Sequence, residues 1–83
     1  MNENWVIIGQ PMCIWCERVR GLLSMNKKSY VYFDVDKHPS LKEFMAAIGK
    51  TNVPLVFAEG EVIGGYKDTK EFLQWTSTHN QTT

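Results

Sequence analysis

The sequence predicts an α/β fold, and three observations carry that prediction. Short apolar runs alternate with segments of helical periodicity along the 83 residues, the pattern of strands joined by covering helices. The first two strands flank a helical segment, a unit that makes them parallel with a right-handed crossover. The length suits one domain spanning residues 1–83, without internal repeat, low-complexity tract or linker.

β1 (5–9, WVIIG) is a continuous apolar run closed by Gly9, as expected of a strand covered on both faces. Helix α1 starts at the cysteines, carries Trp15, Val19, Leu22 and Leu23 at helical spacing, and ends near Asn26. Lys27 and Lys28 follow, where cations suit the negative end of a helix. β2 (30–36, YVYFDVD) alternates, with Val31, Phe33 and Val35 on one face and Tyr30, Tyr32 and Asp34 on the other. Helix α2 (39–48) sets Leu41, Phe44, Met45 and Ile48 on one stripe, and Gly49 is placed to end it. Residues 54–65 (PLVFAEGEVIGG) read as a hairpin of two short strands, β3 and β4, turning near Glu59 and Gly60. Helix α3 begins about Asp68 with Phe72, Leu73 and Trp75 inward, and the polar tail 77–83 is expected to fray.

Composition narrows the function. With 43% apolar and 12% aromatic residues the chain can build a core without disulfide staples or a structural metal. Nine Lys and Arg balance nine Asp and Glu, so no net field draws the protein to nucleic acid or to an anionic membrane. The apolar run at 5–8 is too short for a signal peptide or a membrane span, and the expected location is cytoplasmic. The NQT at 80–82 matches a glycosylation sequon and is expected to be idle there.

The segment QPMCIWCERVRG (10–21) holds both cysteines, Cys13 and Cys16, two residues apart. A pair at this spacing in a cytosolic chain is more often catalytic or metal-binding than structural. It lies where β1 runs into α1, at the carboxyl end of a strand, where ligand chemistry gathers in open α/β sheets. Residues three apart share a helix face, so the sulfurs come within bonding reach. The unpaired N–H groups of the helix start favour Cys13 as the thiolate that attacks disulfides, with the more shielded Cys16 as resolving thiol. Arg18 and Arg20 add positive charge, partly offset by Glu17. Two plainer readings stay open: buried cysteines acting as small hydrophobes, and a zinc site, for which His38 and His79 are the other soft ligands, far apart and off finger spacing.

Two further motifs each carry two readings. In TNVPLVF (51–57), Pro54 is either an ordinary strand-start proline or follows a cis Val53–Pro54 bond that turns the Val53 backbone outward to pair with an extended peptide. In IGGYKD (63–68), Asp68 either caps α3 in a box with Glu71, or the same helix start receives a ligand carboxylate at the Lys67 and Asp68 amides. Both roles can coexist.

With CIWC, NVP and GGYKD in this order, residues 4–76 resemble the glutaredoxins, a thioredoxin-fold family, and are most similar to the short dithiol type. The resemblance implies a four-stranded mixed sheet ordered β2-β1-β3-β4, helices on both faces, and a cis Pro54. It implies a thiol–disulfide oxidoreductase that reduces protein disulfides and glutathione mixed disulfides, with glutathione as reductant and no metal. Position by position, it makes Cys13 the nucleophile and Cys16 the resolving thiol. Val53, beside Pro54, would pair with the cysteine of glutathione. The Lys67 and Asp68 amides would take its γ-glutamyl carboxylate, and the Asp68 side chain its ammonium. Gly65 would leave room for the ligand, and Trp15 and Tyr66 would wall the groove, with plain packing equally open for these two rings.

The chain departs from the family pattern in three places. Ile14 and Trp15 stand between the cysteines where proline and tyrosine are usual, and Ile14 adds an N–H that bears on the redox potential. Gln10 occupies a position often held by a lysine or arginine for the glycine carboxylate of glutathione, and Ala46 and Ala47 stand where a polar or basic partner is common. Lys50 is the remaining candidate cation, or simply a solvated charge at a helix end. These changes keep alive a redoxin reduced by thioredoxin reductase that donates electrons to ribonucleotide reductase. A dimer bridging a [2Fe–2S] cluster through Cys13 and glutathione is the non-catalytic alternative, against which Cys16 argues. The expected partners are glutathione and disulfide-containing proteins, and the expected state is monomer.

Overall fold

The computed structural model describes residues 4–80, with side chains through Trp75. Seven regular elements follow in order: β1 (Trp5–Gly9), α1 (Ile14–Met25), β2 (Tyr30–Asp34), α2 (Pro39–Ala47), β3 (Leu55–Ala58), β4 (Glu61–Gly64) and α3 (Tyr66–Asn80). They form one sheet ordered β2-β1-β3-β4, parallel between β1 and β2 and antiparallel in the other two pairs. The strand–helix–strand unit at the start and the hairpin both stand where their sequence signals place them.

Alternation along the central strand separates two cores. Trp5 and Ile7 point to one face and pack with Val19 and Leu23 of α1, Val56 and Ala58 of β3, and Leu73 of α3. Ile8 points to the other and packs with Leu55, Val35 and Met45 of α2. Burial on both faces is what the unbroken WVIIG run requires. The hairpin turn places Glu59 and Gly60 at φ 54° and 83°, the paired left-handed conformation that matches strand twist in two-residue loops.

Several boundaries and orientations differ from expectation. β2 stops at Asp34, because the Asp34 carboxylate accepts the Asp36 N–H at 2.9 Å and winds residues Val35–Lys37 into a 3₁₀ turn. Ile48 falls at the cap of α2 rather than inside it, followed by Gly49 at φ 73°. α3 starts two residues early, at Tyr66, and runs through Asn80, past the Ser77 limit expected for the helix; residues 81–83 of the expected tail, and the end of the NQT sequon, lie outside the described residues. Asp68 is therefore the third helical residue, and its carboxylate reaches back to the Gly65 N–H at 3.3 Å, in place of a box with Glu71. Trp75, expected inward, is 58% exposed. Thr69, Phe72 and Leu73 form the inward stripe of α3, and a residue two past Leu73 is turned away from it.

No helix among the described residues is long and apolar enough to cross a membrane.

Candidate active site

The chain leaves β1 at Gly9, turns sharply at Met12 with φ 57°, and enters α1 with Cys13 as its extended N-cap residue. A non-glycine residue in the left-handed region marks a constrained turn, and here it delivers the cysteine to the helix start. Cys13 and Cys16 are joined in a disulfide, Cα to Cα 5.2 Å. Cys13 Sγ also accepts the Cys16 N–H at 3.1 Å, so the cap donor and the positive helix end are aimed at the sulfur that would carry charge as a thiolate. Cys16 is wholly buried and Cys13 is half-buried. Water and partners thus meet the outer sulfur first.

The rim around Cys13 is apolar and open. Met12 is fully exposed, Ile14 65% and Trp15 48% exposed. The helical spacing of Trp15 suggested an inward side chain, but it lies outside the α1 stripe of Cys16, Val19 and Leu23. Instead the ring contacts Tyr66 at 5.4 Å between centroids, while the Arg18 guanidinium lies 4.6 Å over it.

A cavity of about 690 Å³ lies beside this rim. It brings together Trp15, Val53 and Pro54 from one side with Gly65, Tyr66, Lys67 and Asp68 from the other, and Lys50 stands at its wall. The Val53–Pro54 bond is cis, as the resemblance implied. The first backbone bond of α3 runs from the Thr69 N–H to the Gly65 carbonyl at 3.0 Å. The Tyr66, Lys67 and Asp68 amides therefore precede the helical ladder and form an anion-receptive end. Cys13 lines neither this cavity nor its neighbour in the disulfide state; Trp15 is what the dithiol segment contributes to the groove.

Gln10 is not in that cavity. It lines a second one of about 540 Å³, with Lys42 and Met45 of α2 and with Thr51, Asn52 and Val53, the last three shared between the cavities. Lys42, Thr51 and Asn52 escaped the sequence reading, since a lysine on the polar side of a helix and a short polar loop carry no spacing signal. Gly64 is a further omission. At φ 127°, its missing side chain would start 2.9 Å from Asp68 Cβ, whereas one at Gly65 would meet the Pro54 carbonyl at an ordinary 3.7 Å. Gly64 is thus the position of the pair where only glycine fits.

Behind Cys16 lies a polar cluster the sequence did not announce. The Tyr32 hydroxyl donates to the Gln10 carbonyl at 3.4 Å, and the Arg20 guanidinium sits 4.7 Å over its ring. Arg20 Nε donates to the Tyr30 hydroxyl at 3.1 Å and its fork reaches Glu17 at 3.3 Å. Desolvation by burial pushes the Tyr32 hydroxyl above the usual tyrosine range, and the bond to Tyr30 holds Arg20 above its own. Among the described residues, no group of three or more His, Cys, Asp or Glu is arranged to hold a metal ion.

A sulfur pair that closes to a disulfide, with its outer member at a helix start and its inner member shielded, exchanges two electrons with other thiols and disulfides. On this sheet order that defines a thioredoxin-like thiol–disulfide oxidoreductase. The chain belongs to the glutaredoxin family, whose family model matches residues 5–63, and its CIWC pair fits the short dithiol type. It is 32% identical over 66 residues to glutaredoxin 3 of Escherichia coli K12, covering 78% of this chain and 80% of that protein. Among solved structures it is similar to a buckwheat glutaredoxin–glutathione complex, with TM-score 0.74 and 25% identity over 83% of this chain and 66% of that one. The fold also matches the glutaredoxin-like NrdH-redoxin of Escherichia coli, with TM-score 0.76 and 18% identity over 86% and 91% of the two chains.

Proposed function

We propose that this chain is a glutathione-dependent thiol–disulfide oxidoreductase that reduces protein disulfides and glutathione mixed disulfides through Cys13 and Cys16. The observation that carries the reading is the single groove beside the dithiol, in which seven of the eight expected ligand residues meet. In it the Val53 backbone pairs with the cysteine of glutathione, the Lys67 and Asp68 amides receive the γ-glutamyl carboxylate, and the Asp68 side chain takes the ammonium. The glycine end extends over Thr51 and Asn52 to the second cavity. There Lys42, in a loose 3.9 Å pair with Asp36, supplies the cation that Gln10, Ala46 and Ala47 do not.

The chemistry is two exchanges at sulfur. The Cys13 thiolate attacks a substrate disulfide, forming a mixed disulfide and releasing one substrate thiolate. Cys16 then attacks Cys13 Sγ, forming the Cys13–Cys16 bond and releasing the second. Two electrons have passed from the dithiol to the substrate, and glutathione restores the dithiol in two further exchanges.

Turnover of a small glutathione mixed disulfide tests the proposal, with glutathione plus glutathione reductase compared against thioredoxin reductase as electron source. The expected result is turnover with glutathione, with KM for glutathione raised several-fold in Lys42→Ala. The neutral Gln10 and the two alanines favour a second reading, a redoxin served by thioredoxin reductase and supplying ribonucleotide reductase. Turnover with thioredoxin reductase alone would replace the first reading by that one.

A further inference from the structure

Cys16 is wholly buried, yet as resolving thiol it must become an anion. Ionising a thiol away from water is costly unless a donor faces it. The Tyr32 hydroxyl stands near it, across the backbone of Gly9. The point where a Gly9 side chain would begin is 2.8 Å from Tyr32 Cζ and 3.0 Å from Cys16 Sγ, so the phenol and the sulfur flank the same spot. Glycine at position 9 leaves that spot open between them.

We infer that Tyr32 is a positioning residue for the resolving thiol: its phenol closes over Cys16 Sγ opposite Gly9, and its hydroxyl donates to the Cys16 thiolate during ring closure. The inference rests on the reading of Cys16 as the resolving thiol. In the disulfide state the hydroxyl donates to the Gln10 carbonyl at 3.4 Å, a long bond that is readily exchanged for a charged acceptor. The Arg20 guanidinium lies 4.7 Å over the ring. Arg20 is in turn fixed by Tyr30 and Glu17. The charged and titratable groups around the phenol are therefore Arg20, Glu17, Asp34 and Tyr30, and Arg20 is the cation among them. A tyrosine hydroxyl is protonated at neutral pH, as a donor must be, and burial shifts Tyr32 further in that direction.

In the step concerned, the Cys16 thiol gives up its proton and the thiolate attacks Cys13 Sγ. The Cys13–Cys16 bond forms, the bond from Cys13 to the substrate sulfur breaks, and the proton ends on the departing thiolate or on buffer. The dithiol is oxidised by two electrons and the substrate disulfide is reduced. Tyr32 takes no part in the first attack, by Cys13.

Stopped-flow reaction of the reduced protein with dithionitrobenzoate separates the two attacks, because each releases one yellow thionitrobenzoate. Tyr32→Phe should leave the first release unchanged, slow the second about tenfold at neutral pH, and move the pH midpoint of the second upward by about one unit. Gly9→Ala, which forces phenol and sulfur apart, should give the same split between the phases should the phenylalanine variant fail to fold. An unchanged second phase, equal slowing of both, or slowing with an unmoved midpoint would each overturn the inference. A wild-type protein that releases only one thionitrobenzoate would overturn the assignment of Cys16, and this inference with it.

Discussion

The two faces of the sheet are covered unequally. On one, α1 and α3 together bury Trp5, Ile7, Val19, Leu23 and Val56 to 1% exposure or less. On the other, the nine residues of α2 cover only the end of the sheet near Ile8, Val35 and Leu55. Cross-strand neighbours Val31, Val6, Phe57 and Val62 continue that second face, and Val31 and Val62 remain 54% and 41% exposed. The inner sulfur belongs to the tightly packed face, since α1 carries Cys16 in the same inward stripe as Val19 and Leu23. The groove is built instead by the loop before β3, by Gly65 with the first turn of α3, and by Trp15 of α1. Rigid packing thus backs the inner sulfur, while the groove is drawn from a loop and from helix starts at the edge of that core.

Core truncation breaks this comparison most severely. Leu23→Ala on the sealed face should cost about 3 kcal/mol, and Met45→Ala on the lightly covered face about 2 kcal/mol, because a smaller cluster surrounds it; denaturant midpoints give both values. A larger loss at Met45 would reverse the ranking of the faces. Gly9→Ala drives a methyl between Tyr32 and Cys16 and should cost about 1–3 kcal/mol by overpacking, with loss of protein-disulfide turnover exceeding loss of mixed-disulfide turnover. Asp68→Ala reaches the groove with little effect on either core. It should raise KM for glutathione about tenfold with stability lowered by less than about 1 kcal/mol. Val62→Thr, on the open sheet face, should stay within about 0.5 kcal/mol of the parent.

The smallest effect is in the alkaline arm of stability. Tyr32 has a raised folded-state value relative to the ordinary 10.0, so its contribution is whole below the unfolded value and drains as pH climbs through the folded one. Thermal melts above pH 10 should therefore fall less steeply in Tyr32→Phe than in the parent.

The strands and helices were legible because burial on one or both faces writes periodicity into WVIIG, LKEFMAAIG and the hairpin. Their ends were not, since Asp34 and Asp68 set them by side-chain bonds to nearby amides, and such residues look alike in turns and caps. Trp75 misled because bulk apolar residues are as suited to the surface as to a core; for Trp15 both readings stood open, and it lines the groove. In the site, the NVP and GGYKD motifs marked one groove in advance, and the cysteine spacing marked the redox pair beside it. The second cavity, lined by both Lys42 and Gln10, joins residues far apart in sequence that share no pattern. Tyr32 was hidden for the same reason: in YVYFDVD it reads only as one face of an alternating strand.

The central claim is that the outer sulfur attacks and the inner one resolves. Incubating Cys13→Ser and Cys16→Ser with glutathione disulfide, and reading intact mass and modified site over time, tests it most directly. One glutathione is expected on Cys13 in the Cys16→Ser protein and none on Cys16 in the Cys13→Ser protein. An adduct forming on Cys16 at a comparable rate would contradict it.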